Sequence, residues 1–494
     1  MPIAADRRLT DVPFDPLPSI DAPGFLASAR SREGRSGDTA AVRRWLLERR
    51  ATQRCDVRRI PFSELHGWHF EAGSGDLVHD SGQFFRVQGL RARSDFPTLV
   101  VFEQPVINQP EVGVLGILAR RFDGILHFLL QAKMEPGNIG LVQLSPTVQA
   151  TRSNYTRVHG GMRPRYLDFF LERAGHRVLV DQLQSEQGLF FRRKRNRNVV
   201  VETAADVPEH EDFRWITLGQ IKQLLREPHT VNMDTRTVIA AVPLVATRSE
   251  ADAVSRTRRH DASSFADALL ASTLAETRGC QPMDALLSWL TEIRAGASID
   301  SQPCGLDTIE GWTRDAFELA RTDGRYFRVC SVGVHSDARE VSTWTQPMVQ
   351  PVGGGVSAFV TRRIDGLLHF LVQARMEPGV WNLIELGPTV QFLPATPLDE
   401  AQPPFMLDEV LGGSTGVTRH RSTQCEEGGR FYQYVTENIV VELDERDDRP
   451  VPRHYAWATL GQLNTLIQYG NHVYIEARSV LACLDVLDDE PVGR

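Results

Sequence analysis

The sequence predicts an α+β protein made of two tandem copies of one domain. Three observations carry this. A long segment recurs at a near-constant offset, the apolar pattern inside each copy has mostly period two, and shorter stretches of helical spacing stand between those strands. GILHFLLQAKMEPG at 124–137 returns as GLLHFLVQARMEPG at 366–379, 242 residues later. Gln104–Pro105, LSPTVQ (144–149), WITLGQ (215–220) and VNMDTRTVIA (231–240) have partners at the same offset, and Asn198–Glu202 answers to Asn438–Glu442 at 240. A unit of this length is a domain, not a solenoid repeat.

The elements follow in order. Residues 1–41 are rich in Pro, Asp, Ser and Gly and read as an irregular arm. Residues 42–246 form the first copy and 286–494 the second. Between them, 247–285 is a connector in which ASSFADALLASTLAETRG has helical spacing. In the first copy, 113–119, 124–133, 141–151 and 189–202 read as strands, and helical patterns fall near 40–51, 165–174, 216–226 and 232–241. Glu135–Pro136–Gly137 is a turn in which proline presets φ and glycine accepts a positive φ.

Composition bounds the function. The chain has 494 residues and a net charge of −8, which disfavours a nucleic-acid partner. No run of 18 apolar residues and no secretion signal is visible, so the reading is a cytoplasmic protein without a membrane partner. The six cysteines form no CxxC or CxxH pair, which argues against a zinc site and a disulfide scaffold. There is no P-loop, no GxGxxG opening a βαβ unit and no GxSxG elbow, so neither a dinucleotide cofactor nor a serine hydrolase is indicated. Of 55 basic residues, Lys133, Lys194 and Lys222 alone are lysine. A lysine inside a motif therefore stands out.

Strand alternation puts Ile125, His127, Leu129, Gln131 and Lys133 on one face, and the apolar Leu126, Phe128, Leu130 and Ala132 on the core face. On the next strand Gln143, Ser145, Thr147, Gln149 and Thr151 share a face. Such a row of uncharged hydrogen-bonding side chains is either a solvated strand face or a grip on sugar hydroxyls. His127 is either a satisfied core histidine or an acid–base group. Ser153, Asn154 and Tyr155 form either a polar loop or part of a site. The paired tryptophans, Trp68 among them, are core residues or base-stacking platforms. The run Arg192–Arg197 is a solvated strand or a diphosphate grip.

HFLLQAKMEPGN followed by QLSPTVQATRSNYT resembles the NDP-hexose 2,3-dehydratases, and the resemblance covers both copies. It implies a duplicated Nudix-like α/β/α fold, a homodimer and a dTDP-4-keto-6-deoxyhexose substrate. It implies removal of the C2 hydroxyl without a cofactor or metal, to a 3,4-diketo-2,6-dideoxyhexose that a 3-ketoreductase takes up. Two other readings stand beside it: a Nudix-type pyrophosphohydrolase and a non-catalytic nucleotide-sugar-binding protein. The hydrolase needs G-x5-E-x7-R-E-U-x-E-E-x-G-U. Glu426–Glu427–Gly428–Gly429 supplies its end, but Ser422 and Thr423 stand where Arg-Glu belongs.

The duplication serves as an internal comparison. Shared positions are His127/His369, Gln131/Gln373, Glu135/Glu377, Thr147/Thr389 and Gln149/Gln391. Lys133 becomes Arg375, Ser145 becomes Gly387, Thr151 becomes Leu393, and the Ser153–Tyr155 motif is lost. The expectation is an active first pocket, with Lys133, Tyr155 and His127 as catalytic candidates. Gln131, Glu135, Ser145, Thr147, Gln149, Thr151, Ser153, Asn154, Trp68 and Arg192 would bind substrate. His369, Gln373, Arg375, Thr389 and Gln391 would line a second pocket that has lost its working parts.

Overall fold

The computed structural model describes residues 24–97, 100–151, 163–172, 175–245, 250, 264–337, 341–393, 403–412 and 416–487. Among them, each copy folds around a seven-stranded mixed sheet. In the first, Val142–Ser145, Ile125–Met134, Gly113–Phe122, Arg195–Glu202 and Arg177–Ser185 lie in that order. Gly113–Phe122 and Arg195–Glu202 run parallel, and the other pairs are antiparallel. The second sheet repeats this with Ile384–Gly387, Leu367–Met376, Gly355–Ile364, Val435–Glu442 and Val417–Cys425.

Both faces of each sheet are covered. Leu126, Phe128, Leu130 and Ala132 join the large core that includes the helical residues Val42, Leu218, Ile221 and Val238. Leu129 points the other way, into a smaller core with Val148, Phe170, Val199 and Trp215. The face carrying His127 and Leu129 is therefore interior at that end, and only its Lys133 end opens to a cavity.

The expected strand 141–151 is two strands. Val142–Ser145 pairs with Ile125–Met134, and Val148–Ala150 crosses to Gly113–Phe122. Pro146, which has no N–H for a ladder, sits at the break. The expected strand 189–202 begins only at Arg195, and the residues before it form a loop.

The copies exchange strands. Cys55–Ile60 of the first pairs with Phe327–Ser336 of the second, and Ile299–Cys304 of the second pairs with Arg86–Ser94 of the first. At the centre, helices Met233–Ala240 and Ile475–Ala482 pack together. Arg236 donates to Ser479 Oγ at 2.7 Å and Cys425 O at 2.7 Å. Its twin Arg478 donates to Thr237 Oγ1 at 3.0 Å and Ser185 O at 2.7 Å. Both arginines are fully buried, and their donors go largely to the opposite copy.

The EPG turns hold the exchange together. Gly137 N–H donates to Gly428 O at 2.8 Å, and Gln433 N–H donates to Gly137 O at 2.8 Å. Reciprocally, Gly379 N–H donates to Gly188 O at 2.8 Å. Gly137 does not adopt the positive φ expected of it. It is glycine because a Cβ there would lie 1.6 Å from Phe431 O. The turn thus admits the other copy's backbone where no side chain fits.

Candidate active site

A cavity of about 570 Å³ opens at the Lys133 end of the first sheet. Lys133, Glu135, Gln149 and Thr151 come from the strands and turn there, and Asp234 from the first turn of helix Met233–Ala240. Glu186, Lys194 and Asn196 come from the loop before Arg195–Glu202 and its first residues. The second copy adds Glu427, Gly429 and Arg430, on the loop clasped by Gly137, and Thr343–Gln346.

Polar contacts hold these groups in place. Lys133 Nζ lies 3.6 Å from Glu135 Oε1. Gln149 donates to Glu135 Oε1 at 2.7 Å, and Asn138 and Asn232 donate to its Oε2 at 3.1 and 3.3 Å. Ser145 Oγ donates to Gln149 Oε1 at 3.0 Å, which fixes that amide. Glu135, Asp234 and Glu427 have carboxylate oxygens all within 4.8 Å of one another.

This crowding dominates the electrostatics. Burial, then Glu427 and Glu135, push the Asp234 carboxyl well above the usual range. Burial and Glu135 push Glu427 up to about 7, against the pull of Arg430. Burial lowers Lys194 to about 8. Lys194 also donates to Glu111 O.

The far end of the cavity is aromatic. Trp68 packs on Phe85 and His79 with ring centroids at 4.8 and 5.1 Å. Phe84 and, from the second copy, Trp344 complete this wall. Arg430 bridges the two ends, its guanidinium 4.4 Å from the Phe85 centroid.

Lys133, Glu135, Gln149, Thr151 and Trp68 therefore meet at one cavity. Ser145 supports it from behind. Ser153, Asn154 and Tyr155 lie outside the described residues. Four expected residues stand elsewhere. His127 is buried, accepts the Arg35 N–H on Nε2 at 2.9 Å and places Nδ1 2.9 Å from Ile125 O. Those bonds fix a neutral ring, and its twin His369 bonds identically to Cys280 N–H and Leu367 O. Thr147 Oγ1 joins Leu129 O to Leu118 N–H, as Thr389 joins Leu371 O to Val360 N–H. Gln131 is half-buried off the cavity, as is Arg192, whose neighbours Arg193 and Arg195 stack on Trp381 of the second copy. In the basic run, Lys194 is the residue that turns inward.

The matching position in the second copy is nearly filled. A void of about 20 Å³ touches Arg375, Gln391, Leu393, Tyr434, Thr436 and Glu476, with Leu189 and Phe190 from the first copy. Arg375 Nε lies 3.4 Å from Glu377. His369, Gln373 and Thr389 do not line this void.

Sequence reasoning missed Asp234, Glu186, Glu427 and Arg430 as site residues, and placed Lys194 only within the basic run. Lys194 was signalled by lysine scarcity, and its counterpart at the 240 offset is Tyr434.

A duplicated mixed sheet with one open and one filled pocket defines a two-copy protein with a roomy polar site in its first copy. A sequence profile described as NDP-hexose 2,3-dehydratase matches residues 39–242 and 283–484, and the chain belongs to that family. A relative from Amycolatopsis orientalis, named dTDP-4-dehydro-6-deoxy-alpha-D-glucopyranose 2,3-dehydratase, is 43% identical over 94% of this chain and 94% of its own. A Streptomyces violaceoruber protein of the same name is 45% identical over 92% of this chain and 99% of its own. Among solved structures, the Ap4A hydrolase of C. elegans is 17% identical, with 24% of this chain and 88% of that chain covered. Its TM-score of 0.18 supports no fold assignment.

Proposed function

We propose that the chain removes water across C2 and C3 of a dTDP-4-keto-6-deoxyhexose, giving the 3,4-diketo-2,6-dideoxyhexose. The observation that carries this is the two-ended cavity. One end holds lysines and carboxyls for proton transfer, and the other is an aromatic slot fit for a planar base. Arg430 stands between them, where a diphosphate would lie.

The C4 ketone acidifies the C3 proton. A base takes it, and the charge moves to the C4 oxygen, where Lys133 donates. The C2 hydroxyl then leaves β to the carbonyl, and the resulting enol ketonises. No redox step occurs. Tyr155, four residues after the cavity-lining Thr151 in the sequence, is the remaining candidate for the acid or the base, and Ser153 and Asn154 are candidates to bind the hexose. Trp68 would stack on the thymine.

The finer fold reading is Nudix-like α/β/α, supported by each sheet being covered on both faces. The domain reading is 42–246 and 286–494, with a connector at 247–285, each domain completed by a strand of the other. The arm read as irregular over 1–41 instead carries helix Phe25–Arg30, packed into the first core, and the start of helix Thr39–Thr52. We also read the protein as a cytoplasmic homodimer passing its reactive diketone to a 3-ketoreductase. No helix among the described residues is long and apolar enough to cross a membrane.

The test is incubation with the keto sugar nucleotide. Loss of one water with the diphosphate intact supports the dehydratase. Release of a nucleoside monophosphate, or no reaction, overturns it.

A further inference from the structure

Four carboxyl groups line the reactive end of the cavity: Glu135, Glu186, Asp234 and Glu427. Three cations face them: Lys133, Lys194 and Arg430. Glu135, Asp234 and Glu427 bring oxygens within 4.8 Å of one another, and like charges at that separation do not all ionise. The cluster therefore retains a proton.

Its location follows from the hydrogen bonds. Glu135 is occupied as an acceptor by Gln149, Asn138 and Asn232. Glu186 accepts from Asn196, faces the charges of Lys194 and Arg478, and leaves Oε2 without a partner. Asp234 is 3% exposed, behind the others. Glu427 is only half-buried, and its Oε1 accepts Gly429 N–H at 3.0 Å while Oε2 has no partner. It is the least buried of the three clustered carboxyls, and it lines the cavity.

The second copy offers a comparison. At the 240 offset, Gln187 stands where Glu427 stands, and Arg375 replaces Lys133. The loop that reaches the 20 Å³ void through Leu189 and Phe190 thus carries an amide at that position, and Gln187 donates to Glu426 Oε2 at 3.0 Å.

We propose that Glu427, carried into the first copy's cavity by the second, shares the proton of a Glu135–Asp234–Glu427 cluster and gives it to the departing C2 hydroxyl. The inference rests on the dehydratase reading. The steps balance. The C3–H bond breaks and its proton goes to the base. The electron pair passes through the C4 enolate and forms the C2–C3 double bond as the C2–O bond breaks. The Glu427 proton joins the leaving oxygen to make water, and Glu427 becomes a carboxylate. Ketonisation takes a proton from the base at C2 and releases the O3 proton, which restores the acid. Asp234 relays protons and is a positioning residue.

The experiment uses the full chain with substrate deuterated at C3. Glu427→Gln is expected to slow elimination by ~10²–10⁴. It should still wash the C3 label into solvent within about threefold of the parent rate and bind dTDP within about threefold, margins small against that loss. Elimination within about threefold of the parent, or exchange lost in step with elimination, overturns the assignment. If Glu427→Gln fails to bind dTDP, the parent pH profile decides. The groups facing Glu427 are Glu135, Asp234, Glu186, Lys133, Lys194 and Arg430. Turnover should fall as pH rises through about 7, and a flat profile there overturns the proposal. Activity abolished by EDTA and restored by Mn²⁺ would make the cluster a metal site and overturn it too. A parent protein that eliminates nothing refutes the dehydratase reading instead.

Discussion

Lys133 Nζ stands 3.6 Å from Glu135 Oε1, and the second copy sets Arg375 against Glu377 in the same way at 3.4 Å. One pair borders open space and the other plugs it. Lysine can release and regain a proton near neutral pH when its surroundings lower its affinity, and a guanidinium cannot.

Lys133→Arg should therefore separate charge from proton transfer. The expected result is a fall in kcat of ~10² or more with KM little changed. Steady-state rates on the keto sugar nucleotide check this. Rates near those of the parent would leave Lys133 a purely electrostatic role.

Gly137→Ala tests how the second copy reaches the first pocket. A Cβ would fall 1.6 Å from Phe431 O, so the clasped backbone must move. The expected cost is about 1–3 kcal/mol of stability, as for overpacking, together with loss of turnover in protein that remains folded. Urea melts and activity assays on one preparation give both. Full activity with lowered stability would show that the loop tolerates displacement.

Stability should carry the mark of the carboxyl cluster. Burial and Glu135 push Glu427 up to about 7, whereas an unfolded glutamate titrates near about 4.3. The folded chain binds that proton more tightly, so stability is fullest below the unfolded value and falls as pH rises through about 7. Glu427→Gln abolishes this contribution. The variant should gain Tm over the parent at pH about 8 and gain less at pH about 5. A pH-independent difference would mean that Glu427 is not perturbed.

Arg375→Gln addresses the filled site. Glu377 is fully buried, and removing its cation strands a charge, with an expected cost of about 3–5 kcal/mol. Turnover per folded molecule should stay within about threefold, a change far smaller than losing an acid–base group brings. A loss of ~10² in kcat without unfolding would place chemistry in the second copy.

The duplication and the polar face ending at Lys133 were legible because repeats and period-two alternation are written locally. The five-residue face was not, because Pro146 breaks the strand and sends its halves to different neighbours. Asp234 escaped because its twin Glu476 is also acidic, so comparing the copies shows no loss there. Glu427 and Arg430 escaped for a different reason. Comparing the copies assumes that each builds its own pocket, and strand exchange violates that assumption. Glu427 was noticed only as the remnant of an incomplete hydrolase pattern.

The loop 186–194 places Glu186 and Lys194 in the open cavity and Leu189 and Phe190 in the filled one. The loop 426–434 does the reverse, with Glu427 and Arg430 in the open cavity and Tyr434 in the filled one. Each ribbon therefore belongs to two sites at once. Ordinarily a duplicate that loses its activity is free to drift. Here the half with the filled chamber is not, since the backbone that seals that chamber also furnishes the open chamber next door. A shortened gene encoding either half would yield neither chamber, and selection on the single activity constrains both halves of the chain.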